Sequence, residues 1–168
     1  MYKLLCPDRI VIGLQDIDFQ EIKRKGIQGI IFDLDNTLIP WDSSELSEEV
    51  LLWMEDVLKF GFKAGLVSNN REKRVSEIAG RFGIPYVCRA YKPSKYGFKR
   101  IAAAMKLSPS VIAVVGDQLF TDVLGGNRLG MFTIWVKPLS SREFIGTKVT
   151  RQLEKMMVRI LRAKKLIR

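Results

Sequence analysis

The stretch Ile30-Ile31-Phe32-Asp33-Leu34-Asp35-Asn36-Thr37-Leu38 constrains the fold more than any other: an apolar run stops at two carboxylates one residue apart, followed by a hydroxyl. Such a run fits a strand buried on both faces, as in a parallel sheet covered by helices. Both acids then emerge at the carboxyl end of the strand, where open α/β sheets hold their ligands. With one residue between them the two carboxylates leave the backbone in the same general direction. One is positioned to attack a substrate while the other manages a proton. The plain alternative is an Asp-rich turn, since Asp and Asn favour turns after strands.

Two further runs end in the same manner. Val111-Ile112-Ala113-Val114-Val115-Gly116-Asp117 closes on an acid, with Asp122 five residues on, beyond Thr121. Two strands that deliver carboxylates to one edge make a site for a hard cation. With no histidine and only two cysteines in the chain, oxygen ligands point to Mg²⁺ rather than zinc. Phe62-Lys63-Ala64-Gly65-Leu66-Val67-Ser68-Asn69-Asn70 ends in a hydroxyl and two amides, short neutral donors suited to a phosphate oxygen. Lys92, before Pro93, is a source of the fixed positive charge that a phosphate dianion and its transition state require.

These residues together resemble the haloacid dehalogenase superfamily of phosphohydrolases, whose four motifs appear in order: Asp33-Leu34-Asp35-Asn36-Thr37, Ser68-Asn69, Lys92-Pro93, and Gly116-Asp117 with Asp122. More narrowly the chain is similar to the subclass IIIA, YqeG-like branch that includes the mitochondrial phosphatidylglycerophosphate phosphatases. The features that carry this are Asn36 inside the first motif, the Lys92-Pro93 pair, and Leu4-Leu5-Cys6-Pro7 with a short helix before the first strand. The resemblance implies a Mg²⁺-dependent phosphomonoesterase in which Asp33 forms an aspartyl phosphate and Asp35 is acid and base. It implies Asp33, Asp117 and the backbone carbonyl of Asp35 as metal ligands. Asp122 supports the metal shell or positions Lys92, and Thr37, Ser68, Asn69 and Lys92 bind the phosphoryl group. Plain alternatives remain: Asp122 as an acid at a helix N-terminus, and Lys92 as a surface lysine beside Lys95 and Lys99. Lys95 replaces Lys92 as the phosphate lysine if the loop is read three residues later.

Strand and helix alternate, which predicts an α/β fold, a doubly wound parallel sheet without a cap. Helices are expected near 18–25, 45–60, 71–82, 95–106, 120–129 and from about 150, with strands at 27–33, 62–68, 85–88, 111–116 and 131–136. Gly61, Gly83 and Gly130 fall where helices should stop. Residues 137–150, with Pro138, Ser140, Ser141 and Gly146, read as a linker. At 168 residues and 47% hydrophobic, the chain has room for one core, so 1–168 is expected to be a single phosphatase domain.

Cys6 and Cys88 make no disulfide framework, and no signal-peptide pattern opens the chain, which predicts a cytoplasmic setting. Neither cysteine has an arginine six residues later, so the phosphate-loop cysteine phosphatases are excluded, and the lack of histidine excludes the usual Ser-His, Cys-His and histidine-phosphatase mechanisms. The gaps between motifs leave no room for a cap domain. The site should therefore be open, closed either by a large substrate or by another subunit.

Trp41, Trp53 and Met54 read as packing residues, and Gly125-Gly126 as a close-packed helix end. Arg89 and Arg128 could reach an anionic substrate, though single exposed arginines usually stay solvated. Residues 151–168 carry seven cations against Glu154 alone, supplying six of the net ten positive charges. Leu153, Met156, Met157, Ile160 and Leu161 form an apolar stripe beside that basic face. Such a helix suits the inner face of an anionic membrane, and an anionic phospholipid substrate with it, or else packs on its own sheet. A nucleic acid is the other polyanion, without a binding motif to support it. Three functional readings follow: a phosphatase for a large or lipid-borne substrate such as phosphatidylglycerophosphate, a binding module on a phosphatase scaffold for RNA or a ribosome-associated partner, and a soluble sugar-phosphate or polynucleotide phosphatase.

Overall fold

The structure is a computed structural model that describes residues 2–43, 45–140 and 145–167, with 145–149 described by their backbone alone. Its frame is a six-stranded, wholly parallel sheet built from β1 (Arg9–Val11), β2 (Gly29–Phe32), β3 (Lys63–Val67), β4 (Tyr86–Val87), β5 (Ile112–Gly116) and β6 (Phe132–Val136). The order across the sheet is β1-β6-β5-β2-β3-β4. Ile30 of β2 pairs in register with Ala64 of β3 and Ala113 of β5. From β2 the chain proceeds outward to β3 and β4, then returns to the other side of β2 to lay down β5 and β6. The reversal puts the topological switch between β2 and β5, and the crevice outside their carboxyl ends is where a doubly wound sheet accepts ligands.

Every residue of β2 and β5 is buried, as expected of central strands in a covered parallel sheet. Alternation along β2 divides the core. Ile30 and Phe32 face one apolar cluster with Met54 and Val57 of α2 (Glu48–Lys59), and Ile31 faces the other with Phe98, Ile101 and Met105 of α4 (Lys95–Met105). Phe32 meets Trp53 edge-on, ring centroids 5.6 Å apart, which fixes the end of β2 immediately before Asp33. α1 (Phe19–Arg24), α3 (Glu72–Phe82) and α5 (Leu124–Asn127) complete the crossovers, and α6 (Ile145–Ala163) follows β6. Ser47 and Ser94 cap α2 and α4 by accepting from Val50 N and Tyr96 N, and Gly83 ends α3 in the left-handed conformation at φ 63°.

The doubly wound α/β fold is thus the one expected, with three differences. β1 was not foreseen, because Arg9-Ile10-Val11 is a three-residue edge strand, two of its residues exposed, that pairs only with β6. The helix expected at 120–129 begins instead as a five-residue π-turn over Leu119–Val123, in which Val123 N donates to Gln118 O. The stretch 137–150 is not all linker: α6 begins at Ile145, and residues 141–144 lie outside the described residues. Between β2 and α2, and between β3 and α3, no further helix or strand intervenes among the described residues.

The two glycine environments separate packing from propensity. A Cβ on Gly125 would lie 2.3 Å from the Phe98 ring, whereas one on Gly80, inside α3, meets nothing within 4 Å. Gly125→Ala is expected to cost about 1–3 kcal/mol from overpacking, and Gly80→Ala to stabilise by roughly 0.5–1 kcal/mol. Urea denaturation of the two variants beside wild type checks both signs.

Candidate active site

Asp33 directly extends β2, its N–H donating to Val115 O at 2.9 Å, so its side chain enters the switch-point crevice with little freedom. The chain then coils tightly: Leu38 N and Ile39 N both donate to Leu34 O, and Asn36 sits at φ 62° with its N–H on Ile39 O. That turn brings Thr37 back beneath the acids, where its hydroxyl lies 3.5 Å from Asp33 Oδ2 and 3.3 Å from Asp117 Oδ1.

Lys92 is the centre of the site. Its ammonium is buried and donates to Asp33 Oδ1 at 2.5 Å and to Asp122 Oδ1 at 2.6 Å. The second oxygen of Asp122 accepts from Gln118 N, so the π-turn aims this acid inward rather than along the helix surface. Gly116 makes the approach possible, since a Cβ there would lie 2.3 Å from Asp122 Cγ. Lys95, the rival lysine, is exposed at the start of α4.

Asp35 points to the other wall. It accepts from Arg74 Nε at 3.0 Å, Asn70 Nδ2 at 3.1 Å and, more weakly, Ser68 Oγ at 3.5 Å. Arg74 in turn donates to the carbonyls of Pro40 and Ser43, which braces the first-motif loop against α3. Asn69 behaves differently from its neighbour. Its side chain accepts from Lys92 N at 2.8 Å and reaches back to Lys92 O at 3.4 Å, so it holds the lysine's backbone in place. Of the residues expected as phosphate binders, Ser68, Asn69 and Lys92 line this crevice, whereas Thr37 is fully buried beneath Asp33 and Asp117. A cleft of about 320 Å³ opens over it, lined by Asp33, Asp35, Trp41, Ser68, Asn69 and Lys92 among others. Trp41, read as packing, therefore borders the cleft with 42% of its surface exposed.

Sequence reasoning missed two arginines and one acid. Arg74 and Arg151 lie on amphipathic helices where a cation usually faces solvent, and the motif acids they meet, Asp35 and Asp117, are far away in sequence. Arg151, on α6, pairs with Asp117 Oδ2 and Glu154 Oε2 and donates to Asp117 O. Glu154 is 2% exposed and accepts from Phe120 N. The only available signal was the isolation of Glu154 as the one acid in a basic helix.

The electrostatics of this pocket are those of acids short of cations. Burial pushes Asp33 up to about 7, with Lys92 pulling it back and Asp122 adding to the rise. Burial also raises Asp117 well above the usual carboxylate range against the pull of Arg151, and raises Glu154 likewise. Burial alone would lower Lys92, but Asp122 and Asp33 outweigh it and hold it above an ordinary lysine. Among the described residues, four buried carboxylates, Asp33, Asp117, Asp122 and Glu154, thus face two cations, Lys92 and Arg151. One oxygen each of Asp33, Asp117 and Asp122 lie within 4.8 Å of one another. The oxygen-only donor set and the excess of acids over cations among the described residues fit a divalent hard cation.

Arg151, its side chain 13% exposed, pairs with the fully buried Asp117. Arg151→Gln is expected to cost about 3–5 kcal/mol in chelator, and Asp117→Asn in that background to restore much of it. A double-mutant cycle by denaturation measures the coupling, and a coupling below about 0.5 kcal/mol would show the pair to be inert.

Comparison with known proteins accords with this geometry. Residues 2–139 match the family described as mitochondrial PGP phosphatase. The chain is 39% identical over 162 residues to the probable phosphatase YqeG of Bacillus subtilis, covering 96% of this chain and 94% of that protein. It is 29% identical over 165 residues to the chloroplastic phosphatidylglycerophosphate phosphatase 1 of Chlamydomonas reinhardtii, covering 92% of this chain but 61% of that protein's length. Among solved structures, the HAD phosphatase of Thermococcus onnurineus superposes with a TM-score of 0.59 at 15% identity, over 71% of this chain and 90% of that one, a likeness of fold. A parallel sheet whose switch point gathers the four motif segments, and relatives that extend over nearly the whole chain, place it in the YqeG and PGP phosphatase branch of the haloacid dehalogenase superfamily: it belongs to that family and is a phosphoric monoester hydrolase.

Proposed function

We propose that residues 1–168 act as one Mg²⁺-dependent catalytic domain that hydrolyses a phosphomonoester through an aspartyl phosphate on Asp33, with a large or lipid-borne substrate such as phosphatidylglycerophosphate. The observation that carries this reading is the ammonium of Lys92 held between Asp33 and Asp122 at the end of β2. Asp33 attacks phosphorus, the bond to the leaving alkoxide breaks, and the alkoxide takes a proton from Asp35. Asp35 then takes a proton from the water that attacks the acyl phosphate, which returns Asp33 as carboxylate and releases phosphate. Arg74 and Asn70 fix the direction of Asp35 for both transfers. Lys92 offsets charge on the phosphoryl oxygens, Ser68 and Asn69 line its seat, and Thr37 supports Asp33 and Asp117 from beneath. Asp33, Asp117 and the backbone carbonyl of Asp35 are the proposed Mg²⁺ ligands with Asp122 in support, and the ion's contribution when bound is to neutralise charge between nucleophile and incoming phosphate.

The lipid part of the reading draws support from the algal relative's name and from the open cleft. α6 adds a surface. It turns Glu154 and Leu161 inward and leaves Leu153 and Met156 about half exposed beside Lys155, Arg159 and Arg162. That pairing of apolar and basic groups suits peripheral contact with an anionic bilayer on its cytoplasmic side. No helix among the described residues is long and apolar enough to cross a membrane.

Asp33→Asn is expected to reduce phosphate release at saturating Mg²⁺ by about 10⁴-fold or more, and Asp35→Asn by roughly 10²–10⁴-fold, with folding little changed. Near wild-type turnover by Asp33→Asn would remove the covalent step. A second test addresses α6. Each near-surface cation contributes about 1 kcal/mol at an anionic bilayer, so reversing Arg159, Arg162, Lys164 and Lys165 to Glu should abolish sedimentation with anionic liposomes at low salt. Equal sedimentation of the reversed and wild-type proteins would discard the membrane contact and leave the phosphatase chemistry intact.

A further inference from the structure

Beside the catalytic cleft lies a second, more open one of about 650 Å³, lined by Asn69, Arg71, Arg89, Tyr91 and Lys92. Asn69 and Lys92 border both clefts, so the two are continuous across the lysine that contacts Asp33. No carboxylate lines the second cleft. Neither the Arg71 nor the Arg89 guanidinium makes an ion pair or hydrogen bond among the described residues, in contrast to Arg9, Arg74 and Arg151, which all pair with carboxylates.

The backbone that carries these two arginines is held firmly. Ser68 N donates to Val87 O, Ala90 N to Ser68 O, and Arg89 N to Asn70 O, so the loops after β3 and β4 are zipped together. Asn69 closes the zip on Lys92 N. Arg89 and Tyr91 are both held in the left-handed region, at φ 45° and 53°, a conformation that side chains other than glycine adopt only when the surroundings impose it. Tyr91 stands 71% exposed between Arg89 and Lys92. Two unpaired guanidiniums on one rigid frame, beside a site for a phosphoryl group, are suited to a second oxyanion, because the planar fork of arginine bonds phosphate oxygens in pairs.

Resting on the phosphomonoesterase reading above, we infer that Arg71 and Arg89 form a second anion subsite that selects phosphomonoesters carrying another anionic group, a phosphodiester, on the same molecule. The reacting phosphoryl group sits over Asp33 and Lys92, the diester meets Arg71 and Arg89, and Tyr91 borders the connecting part of the substrate.

Two soluble probes separate the contributions: glycerol phosphate, a monoester alone, and glycerophosphoglycerol phosphate, the same monoester joined to a phosphodiester. Wild type is expected to prefer the second, and Arg71→Ala with Arg89→Ala to lower the ratio of the two kcat/KM values by about 10–100-fold, through KM of the diester-bearing probe. Lysine at both positions should restore part of the ratio, which a purely structural role would not predict. An unchanged ratio, or equal losses on both probes, would overturn the subsite. Calorimetric titration of the Asp33→Asn protein gives the same comparison without turnover. Preferential binding of the diester-bearing probe that the double variant loses supports the subsite even if wild type hydrolyses neither compound, a result that would sink only the hydrolase reading. Equal affinity for the two probes overturns the subsite even if hydrolysis is intact. Dimethyl phosphate added to glycerol phosphate supplies the second anion untethered. It is expected to leave glycerol phosphate affinity unchanged, and a gain matching the tethered probe would overturn the assignment to one molecule.

Discussion

The ammonium of Lys92 between Asp33 and Asp122 is the interaction on which the rest of the site depends. A buried charge cluster is expensive, because the attraction between opposite charges must offset the loss of hydration on each. Here geometry meets that demand: both distances are short, Asp122 has a backbone donor on its other oxygen, and Asn69 fixes the segment from which Lys92 extends. Much of the surrounding architecture serves the same arrangement. Gly116 leaves the space that Asp122 fills, and the π-turn at Leu119–Val123 points that acid inward. The cluster is held by hydrogen bonds on several sides, and among the described residues it is still deficient in positive charge. That combination suits a cleft built to receive a cation and a phosphate together.

The sheet sets where this cluster forms. β2 and β5 are adjacent, parallel and buried along their whole length, so the residues immediately past their ends leave the sheet side by side. Asp33 and Asp117 are those residues. Apolar clusters on both faces, with Phe32 against Trp53 just beneath Asp33, bear the stability that a pocket of buried acids does not. α6 then covers the Asp117 side through Arg151 and Glu154, so the basic C-terminal helix has one face in the site and another at the surface.

The legible parts of the sequence were those in which local pattern and function coincide. An apolar run ending in an acid is both a strand and a site, so Asp33, Asp35 and Asp117 could be read with their strands, and Lys92 and Asp122 through the motifs that hold them. Arg74 and Arg151 were hidden because each is 34 or more residues from the motif acid it pairs with, Asp35 and Asp117, and nothing in an amphipathic helix distinguishes such an arginine from a solvated one. Asn69 was legible as a residue of the site but not in its contacts, since it bonds to the backbone of Lys92 and backbone groups carry no sequence signal. β1 was too short for alternation to show, and its strand character comes from β6 alone.

These differences bear on how one catalytic frame is directed to one substrate. The acids and the lysine meet only the phosphoryl group and its ester oxygen, which are common to every phosphomonoester, so they give little discrimination. Discrimination must come from what borders them. With no folded cap between the motifs among the described residues, that border consists of the loops themselves: Trp41 after the first motif, Arg71 and Arg89 after the third and fourth strands, and Tyr91 beside Lys92. All four are exposed, and three lie within three residues of a group that holds or forms the charged cluster. Because Asn69 and Lys92 belong to both clefts, a ligand held in the outer one bears on the position of the lysine in the inner one. In an open site of this kind the substrate's own second contact does what a closing domain does elsewhere, aligning the reacting group while covering it from water.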